Sequence, residues 1–230
     1  MEVWVCDADG SNPIQLSSFG IQVTGSPRWS PDGKWIAFDS RAGGEANIYL
    51  VNPQVGVPRK LEIDIHGNNQ PSWSHDGKWI YFTNGDDVSN ESVWKVSSSG
   101  GHAVQVAQNP AFYPIESPDG LYVYYRRYKQ LWRARTDGSS PEIVRGMPEL
   151  NYIGDDWFPF GSGIYFIHSG AKAAIEFFDL SSQGVRRVYE FNNSARDFIG
   201  AMLVSSDGKW MLLPQMDERS SNLMMIENWR

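Results

Sequence analysis

The chain has 230 residues, a formal net charge of −7 and a pI near 5.1, which argues against a dedicated nucleic-acid surface. Its longest apolar runs are too short to span a bilayer, and its length suffices for a hydrophobic core without a disulfide or metal staple. Ten Trp, ten Tyr and eleven Phe beside 22 Gly and 13 Pro give the composition of aromatic strands separated by frequent turns.

The opening residues, Met1-Glu2-Val3-Trp4-Val5-Cys6-Asp7, hold neither a basic segment nor an apolar stretch, so no signal peptide is expected. Residues 3–7 read as a strand, Asp9-Gly10 as a turn and residues 13–16 as a further strand. Cys6 is the lone cysteine, so no intrachain disulfide can form. Its strand-like setting predicts a small buried apolar residue rather than a nucleophile.

A repeat then sets in. Pro27-Arg28-Trp29-Ser30-Pro31-Asp32-Gly33-Lys34-Trp35-Ile36-Ala37-Phe38 returns as Pro71-Ser72-Trp73-Ser74-His75-Asp76-Gly77-Lys78-Trp79-Ile80-Tyr81-Phe82, glycine to glycine 44 residues later. Further copies are Pro114-Ile115-Glu116-Ser117-Pro118-Asp119-Gly120-Leu121-Tyr122 and Ser205-Ser206-Asp207-Gly208-Lys209-Trp210. Between these two lies a degraded copy from Asp155 to Phe166. The Ser-x-Asp-Gly core has the chemistry of a tight hairpin. Pro31 or Pro118 presets φ, the carboxylates of Asp32, Asp76, Asp119 and Asp207 accept local backbone bonds, and Gly33, Gly77, Gly120 and Gly208 take the left-handed conformation. Lys-Trp-Ile-x-Phe alternates as a half-buried strand would. Trp29 and Trp73 are expected to pack between neighbouring repeats.

Each turn motif is followed by another strand, at residues 48–52, 93–97, 131–135, 175–179 and 223–227, and residues 3–7 match this set. Gly-containing turns lead on to fourth strands at 58–61, 103–106 and 141–144. Four short strands in forty-odd residues, tandemly repeated, predict an all-β chain. The expected fold is a β-propeller of four-stranded antiparallel blades, about five blades plus an N-terminal half-blade. No segment carries a sustained helical period with caps. The expected organisation is a single propeller domain over 1–230. Its half-blade spans 1–20 and its repeats 21–66, 67–109, 110–148, 149–194 and 195–230. Five turn motifs against six third strands suggest a chain that begins and ends in mid-blade, the C-terminal part of a longer protein. The rival is a self-contained five-bladed ring with a displaced N-terminal strand. Unpaired edge strands would then invite self-association.

The Ser-Pro-Asp-Gly-Lys run, the Ile48-Tyr49-Leu50 strand and the Gly100-Gly101 or Asp137-Gly138 turn resemble the TolB-like, WD-repeat-like propeller family of bacteria. Propellers of this type are also appended to winged-helix regulators and serine/threonine kinases. The resemblance implies a scaffold or sensor and specifies fold more than function. It leaves the compartment open, cytoplasmic or periplasmic according to what precedes the chain.

A search for chemistry yields no catalytic set. The Ser-x-Asp-Gly turn lacks the spacer residue of the sialidase Asp-box. Gly161-Ser162-Gly163 stands where other repeats keep their turn and is not a nucleophile elbow. His66, His75, His102 and His168 show no zinc spacing, and none falls on a first strand, where the similar oligogalacturonate lyases keep a metal site. No metal and no cofactor are expected. Arg126, Arg127 and Lys129 read as a solvated hairpin end.

The repeat breaks at Asp155, Asp156 and Glu116, which in the sequence register replace Pro27, Arg28 and Trp29. First strands line a propeller's channel, so these carboxylates, with Arg28, are the candidate binding residues for a basic peptide or a cation. The alternative is that they are solvated or paired with arginine. The expected function is a non-enzymatic scaffold or sensor that binds a protein or peptide, with no nucleic acid and no membrane segment. The second reading is an accessory or gating propeller of a hydrolase, or a hydrolase or lyase working in the channel.

Overall fold

The computed structural model describes residues 1–20, 23–150, 156–168, 172–191, 201–216 and 221–227. Every regular element among them is a strand. Strands β1 (Trp4–Val5) and β2 (Ile14–Gln15) pair alone, and β3 (Thr24–Trp29), β4 (Ile36–Gly43), β5 (Glu45–Val51) and β6 (Arg59–Lys60) form the first complete sheet. The second holds β7 (Asn68–Trp73), β8 (Trp79–Asn84), β9 (Ser92–Ser97) and β10 (Val104–Ala107). The third holds β11 (Phe112–Glu116), β12 (Tyr122–Arg127), β13 (Gln130–Arg135) and β14 (Glu142–Ile143). The fourth holds β15 (Trp157–Phe160), β16 (Gly163–His168), β17 (Ala174–Asp179) and β18 (Val185–Glu190). Last come β19 (Leu203–Val204), β20 (Trp210–Met216) and β21 (Ser221–Glu227), a three-stranded sheet. In each sheet the strands pair in chain order, as expected of blades built by successive hairpins.

The chain divides into two compact units, Met1–Arg127 with Arg133–Pro141, and Tyr128–Trp132 with Glu142–Arg230. In the first unit the packing is read most clearly from β4. Ile36 and Phe38 join Val51, Val3 and Leu16 in one apolar cluster, while Ala37 joins Ile48, Leu50 and Leu61 with Ile80, Phe82, Val96 and Ala103 in another. Successive side chains thus enter different cores, because a strand points alternate residues to opposite faces and each face has a neighbouring sheet. The sequence expectation of a half-buried strand is therefore corrected: Ile36, Ala37, Phe38, Asp39 and Ser40 are all buried. In the second unit, Tyr165, Ile167, Ile175 and Phe177 of the fourth sheet pack on Met202, Met211 and Leu213 of the last.

The half-blade is pinned by one carboxylate. Glu2 accepts backbone hydrogen bonds from Phe19 at 2.8 Å and Gly20 at 2.9 Å, and Ser17 Oγ donates to its other oxygen. Hydrogen bonding, from Ser17 first, holds the Glu2 carboxyl below its usual range. Cys6 just beyond β1 is exposed, contrary to the sequence expectation, because the strand ends at Val5 and the chain turns out at Asp7.

Candidate functional site

Each repeat turn is organised by its serine as much as by its aspartate. Ser30 Oγ donates to Asp32 Oδ1 at 2.6 Å and accepts from the Trp35 amide at 3.0 Å, while the Lys34 amide donates to the same Asp32 oxygen at 3.1 Å. Ser74 with Asp76, Ser117 with Asp119 and Ser205 with Asp207 repeat this pattern. Gly33, Gly77, Gly120 and Gly208 hold φ between 65° and 70°, a conformation that disfavours any side chain. The donors lower the carboxyl pKa values: the Ser30 hydroxyl leads at Asp32, while the Lys78 amide leads at Asp76 and takes it down to about 2. These carboxylates are occupied in turn geometry.

The residues that end β7 and β11 reach back to the preceding sheet. Trp29 pairs with Ile36, Trp73 with Ile80 and Glu116 with Val123, so the three share one column. Trp73 Nε1 donates to the Arg28 carbonyl at 3.0 Å. Glu116 accepts from the His75 amide at 2.8 Å and from the Tyr81 hydroxyl at 2.6 Å. Burial and then the Glu116 carboxylate raise the Tyr81 phenol far above the usual range. Trp29 differs: it is 50% exposed, which corrects the expectation that it packs between repeats as Trp73 does. Before β3 stand only β1 and β2, which pair with each other.

One further feature recurs on the same strands. Between Gly25 and Arg28, between Asn69 and Ser72, and between Phe112 and Ile115, the pairing with the second strand slips by one residue. Each bulge holds a non-glycine residue in the left-handed region, Ser26 at φ 50°, Gln70 at 51° and Tyr113 at 56°, and a proline follows each one. Such conformations cost on the order of 1 kcal/mol or more apiece and persist only where neighbours hold them. At Gln70 and Tyr113 the preceding sheet does so. Asp39 Oδ1 accepts from the Gln70 amide at 3.2 Å, and the Tyr113 amide donates to Thr83 Oγ1 at 3.1 Å and Gln70 Oε1 at 3.3 Å. Thr83 Oγ1 in turn donates to Gln70 Oε1 at 2.8 Å. Burial raises the Asp39 carboxyl, against the hydrogen bonds from Ser26 and Gln70. Since β3 lies beside β7 and β7 beside β11, the bulges form a row of half-exposed residues within one unit.

Of the residues singled out from sequence, Glu116 joins this row's edge as a clasp, its two oxygens occupied by Tyr81 and His75. Arg28 is half-buried, its carbonyl taken by Trp73. Asp155 lies outside the described residues. Asp156 is buried in the second unit, its carbonyl accepting from the Ile167 amide at 2.9 Å. Its place in the repeat differs from the sequence register. Phe158 pairs with Tyr165 and Pro159 with Ile164, so Phe158 and Pro159 stand where Arg28 and Trp29 stand. Four residues separate Pro159 from Ile164 in the β15–β16 hairpin where six separate Trp29 from Ile36, and that shift of two defeats simple counting. Arg126 is also corrected: it is 1% exposed on β12, opposite Phe112, and only Arg127 and Lys129 approach the surface. Among the described residues no three His, Cys, Asp or Glu side chains are grouped to hold a metal ion. No helix there is long and apolar enough to cross a membrane.

The bulge row was missed from sequence, although a signal exists. Proline inside a run that otherwise reads as a strand belongs at an edge or a bulge, and Pro27, Pro71 and Pro114 are such prolines.

Successive four-stranded antiparallel sheets with this repeat define a β-propeller. Residues 1–133 match the TolB beta propeller domain, and the chain belongs to that family. A TolB homolog of Chlorobaculum tepidum is 39% identical over 67 residues, which are 29% of this chain and 14% of that protein. Among solved structures, TolB from Acinetobacter baumannii superposes with a TM-score of 0.76 at 20% identity, covering 97% of this chain and 56% of that one. This chain therefore spans about half of that structure. An oligogalacturonate lyase from Vibrio parahaemolyticus shares the fold with a TM-score of 0.65 at 13% identity, over 98% of this chain and 68% of its own.

Proposed function

We propose that this chain is a non-enzymatic binding module that takes a protein or peptide segment on the bulge row of β3, β7 and β11. The observation that carries this reading is the set of three equivalent left-handed residues, Ser26, Gln70 and Tyr113, each before a proline. Backbone strain held by neighbouring groups clusters where a surface must be presented in a fixed shape. Here Asp39, Thr83 and Gln70 supply the holding bonds. The Ser26 hydroxyl and the Gln70 amide are tied to Asp39 and Thr83, and the half-exposed Tyr113 ring stands beside them, edge-on to Phe112. Such amphipathic side chains on a rigid frame suit peptide recognition. Membership of the TolB propeller family supports a protein-binding role.

Glu116 and Arg28 serve this surface by fixing its strands, not as direct ligands. The test is affinity capture followed by calorimetry with the captured partner. Replacing Tyr113 by Gly keeps the backbone conformation and removes the ring, so Tyr113→Gly should weaken the partner at least tenfold, about 1.4 kcal/mol. Ser26→Gly should weaken it less. Equal affinity for wild type and Tyr113→Gly would place the binding surface elsewhere.

A further inference from the structure

We propose that the first three complete sheets dock an acidic peptide segment at the end where their Ser-x-Asp-Gly turns lie, anchored by Arg133 and Arg135 against the Tyr122 ring. This surface is built from second, third and fourth strands, apart from the first strands that carry the bulge row.

Each repeat turn fixes an aromatic ring at the start of its second strand. Trp35, Trp79 and Tyr122 donate their amides to the turn serines Ser30, Ser74 and Ser117, so the three rings are equivalent. A cation covers every one of them. Arg59 Cζ lies 5.3 Å from the Trp35 centroid, and Lys95 Nζ lies 4.8 Å from that of Trp79. Tyr122 holds two, Arg133 at 4.5 Å and Arg135 at 4.6 Å. The negative face of a ring attracts a cation and fixes a long side chain that would otherwise sample many rotamers. That reduces the ordering an incoming anion must impose.

These cations are not neutralised as the turn lysines are. Lys34 pairs with Asp32 and Lys78 with Asp76, whereas in the third turn Leu121 stands in the lysine's place. Among the described residues the guanidinium groups of Arg59 and Arg135 form no ion pair. Arg133 donates to the Tyr124 hydroxyl, and Lys95 to the Thr136 carbonyl at 2.5 Å. Arg135 lies in the field of Asp119 and Lys95 in that of Asp137. Both carboxylates are engaged in their own turns, Asp119 by Ser117 and the Leu121 amide, Asp137 by the Ser139 amide. Lys95, Arg133 and Arg135 thus leave an excess of positive charge around the third turn.

The opposite end of the second sheet has the other sign. Its β8–β9 connection carries Asp86, Asp87 and Glu91, which repel one another. In a chain of net charge −7 this separation steers an anionic segment toward the turn end. The cations come from successive sheets instead of converging on one point, which suits several carboxylates along an extended chain. Guanidinium forks match planar carboxylates, and Leu121, 51% exposed beside Tyr122, offers an apolar contact between them.

Fluorescein-labelled hexaglutamate is titrated with the full chain at low ionic strength and followed by anisotropy. A saturable rise is expected, weakening as salt is added. Arg135→Gln should weaken binding about threefold, and Arg133→Gln with Arg135→Gln about tenfold. Lys34→Gln removes one charge from a lysine that is already paired and should leave binding nearly unchanged. Tyr122→Phe keeps the ring and the affinity. Tyr122→Leu keeps every charge but frees both guanidinium groups, and should weaken binding about threefold. No saturable rise, undiminished binding in the double variant, or equal losses in Lys34→Gln and Arg135→Gln overturns the proposal. So does binding of phosphatidylglycerol vesicles without binding of hexaglutamate, which would make the occupant an anionic lipid surface.

Discussion

Tyr81 of β8 donates its hydroxyl to Glu116 of β11 at 2.6 Å, and the same carboxylate accepts the His75 amide of the turn before β8. One side chain thus closes the β7–β8 hairpin, which ended 32 residues earlier at Asn84. Glu116→Ala leaves a largely buried phenol and a turn amide without their acceptor, so a loss of about 2–3 kcal/mol is expected in urea unfolding. Tyr81→Phe should cost about 1 kcal/mol. In the double variant the two effects should fall short of adding, since they report one bond.

The turn serine should matter more than its size suggests. Ser74 is buried, donates to Asp76 and accepts the Trp79 amide at 2.9 Å. Ser74→Ala should destabilise by about 1–3 kcal/mol, through the stranded amide as well as the lost bond. Asp76, titrating at about 2 instead of 3.8, contributes stability that is complete above pH 4 and lost as the pH falls toward 2. Asp76→Asn should flatten melting temperature against pH in that window and leave the rest of the profile unchanged.

Glu91 has the opposite sign. Burial, with Asp87 and Asp86 adding repulsion, raises its carboxyl to about 7. A raised carboxylate favours the folded state while protonated, so its contribution is complete below about pH 4.5 and lost as the pH rises through 7. Glu91→Gln should therefore stabilise the chain at pH 8, by an amount on the order of 1 kcal/mol after solvent screening, and make little difference at pH 4. Melting curves of both proteins from pH 4 to 8 should converge at the acid end. Curves that run parallel would refute the assignment.

Gly163 opens β16 at a place with no room for a side chain. A Cβ there would overlap the Phe178 carbonyl oxygen and come within 2.5 Å of Phe177 Cζ. Since the obstacle includes backbone of the paired strand, Gly163→Ala should lower stability by more than 2 kcal/mol in denaturant unfolding. Gly161→Ala, with open space around its Cβ, meets no such obstacle and pays only for its φ of 57°.

The legible part of this protein was whatever is local in sequence. Ser30, Asp32 and Gly33 bond within six residues, so their turn could be read directly and found again at each copy. Non-local roles were hidden. Glu116 stood out as a break in the pattern, but its partners Tyr81 and His75 lie 35 and 41 residues away, and a lone carboxylate on a first strand reads equally well as a ligand. Asp156 was misplaced because the β15–β16 hairpin is short and has no bulge, so counting back from Phe166 shifts the register. Arg126 looked like surface because its neighbours are basic, yet the β12 pleat turns it inward opposite Phe112.

The alternation along β4 carries a mechanical meaning. Phe38 and Ala37 are neighbours in the chain but belong to different joints, one toward the half-blade and one toward the second sheet. A strand of this kind acts as a shared wall, and each wall residue answers to a single room. Trimming Phe38 should slacken the first joint and spare the second, while enlarging Ala37 should do the reverse. Adjacent codons thus tune separate seams, and a protein assembled this way can loosen at one seam while its other walls stay locked.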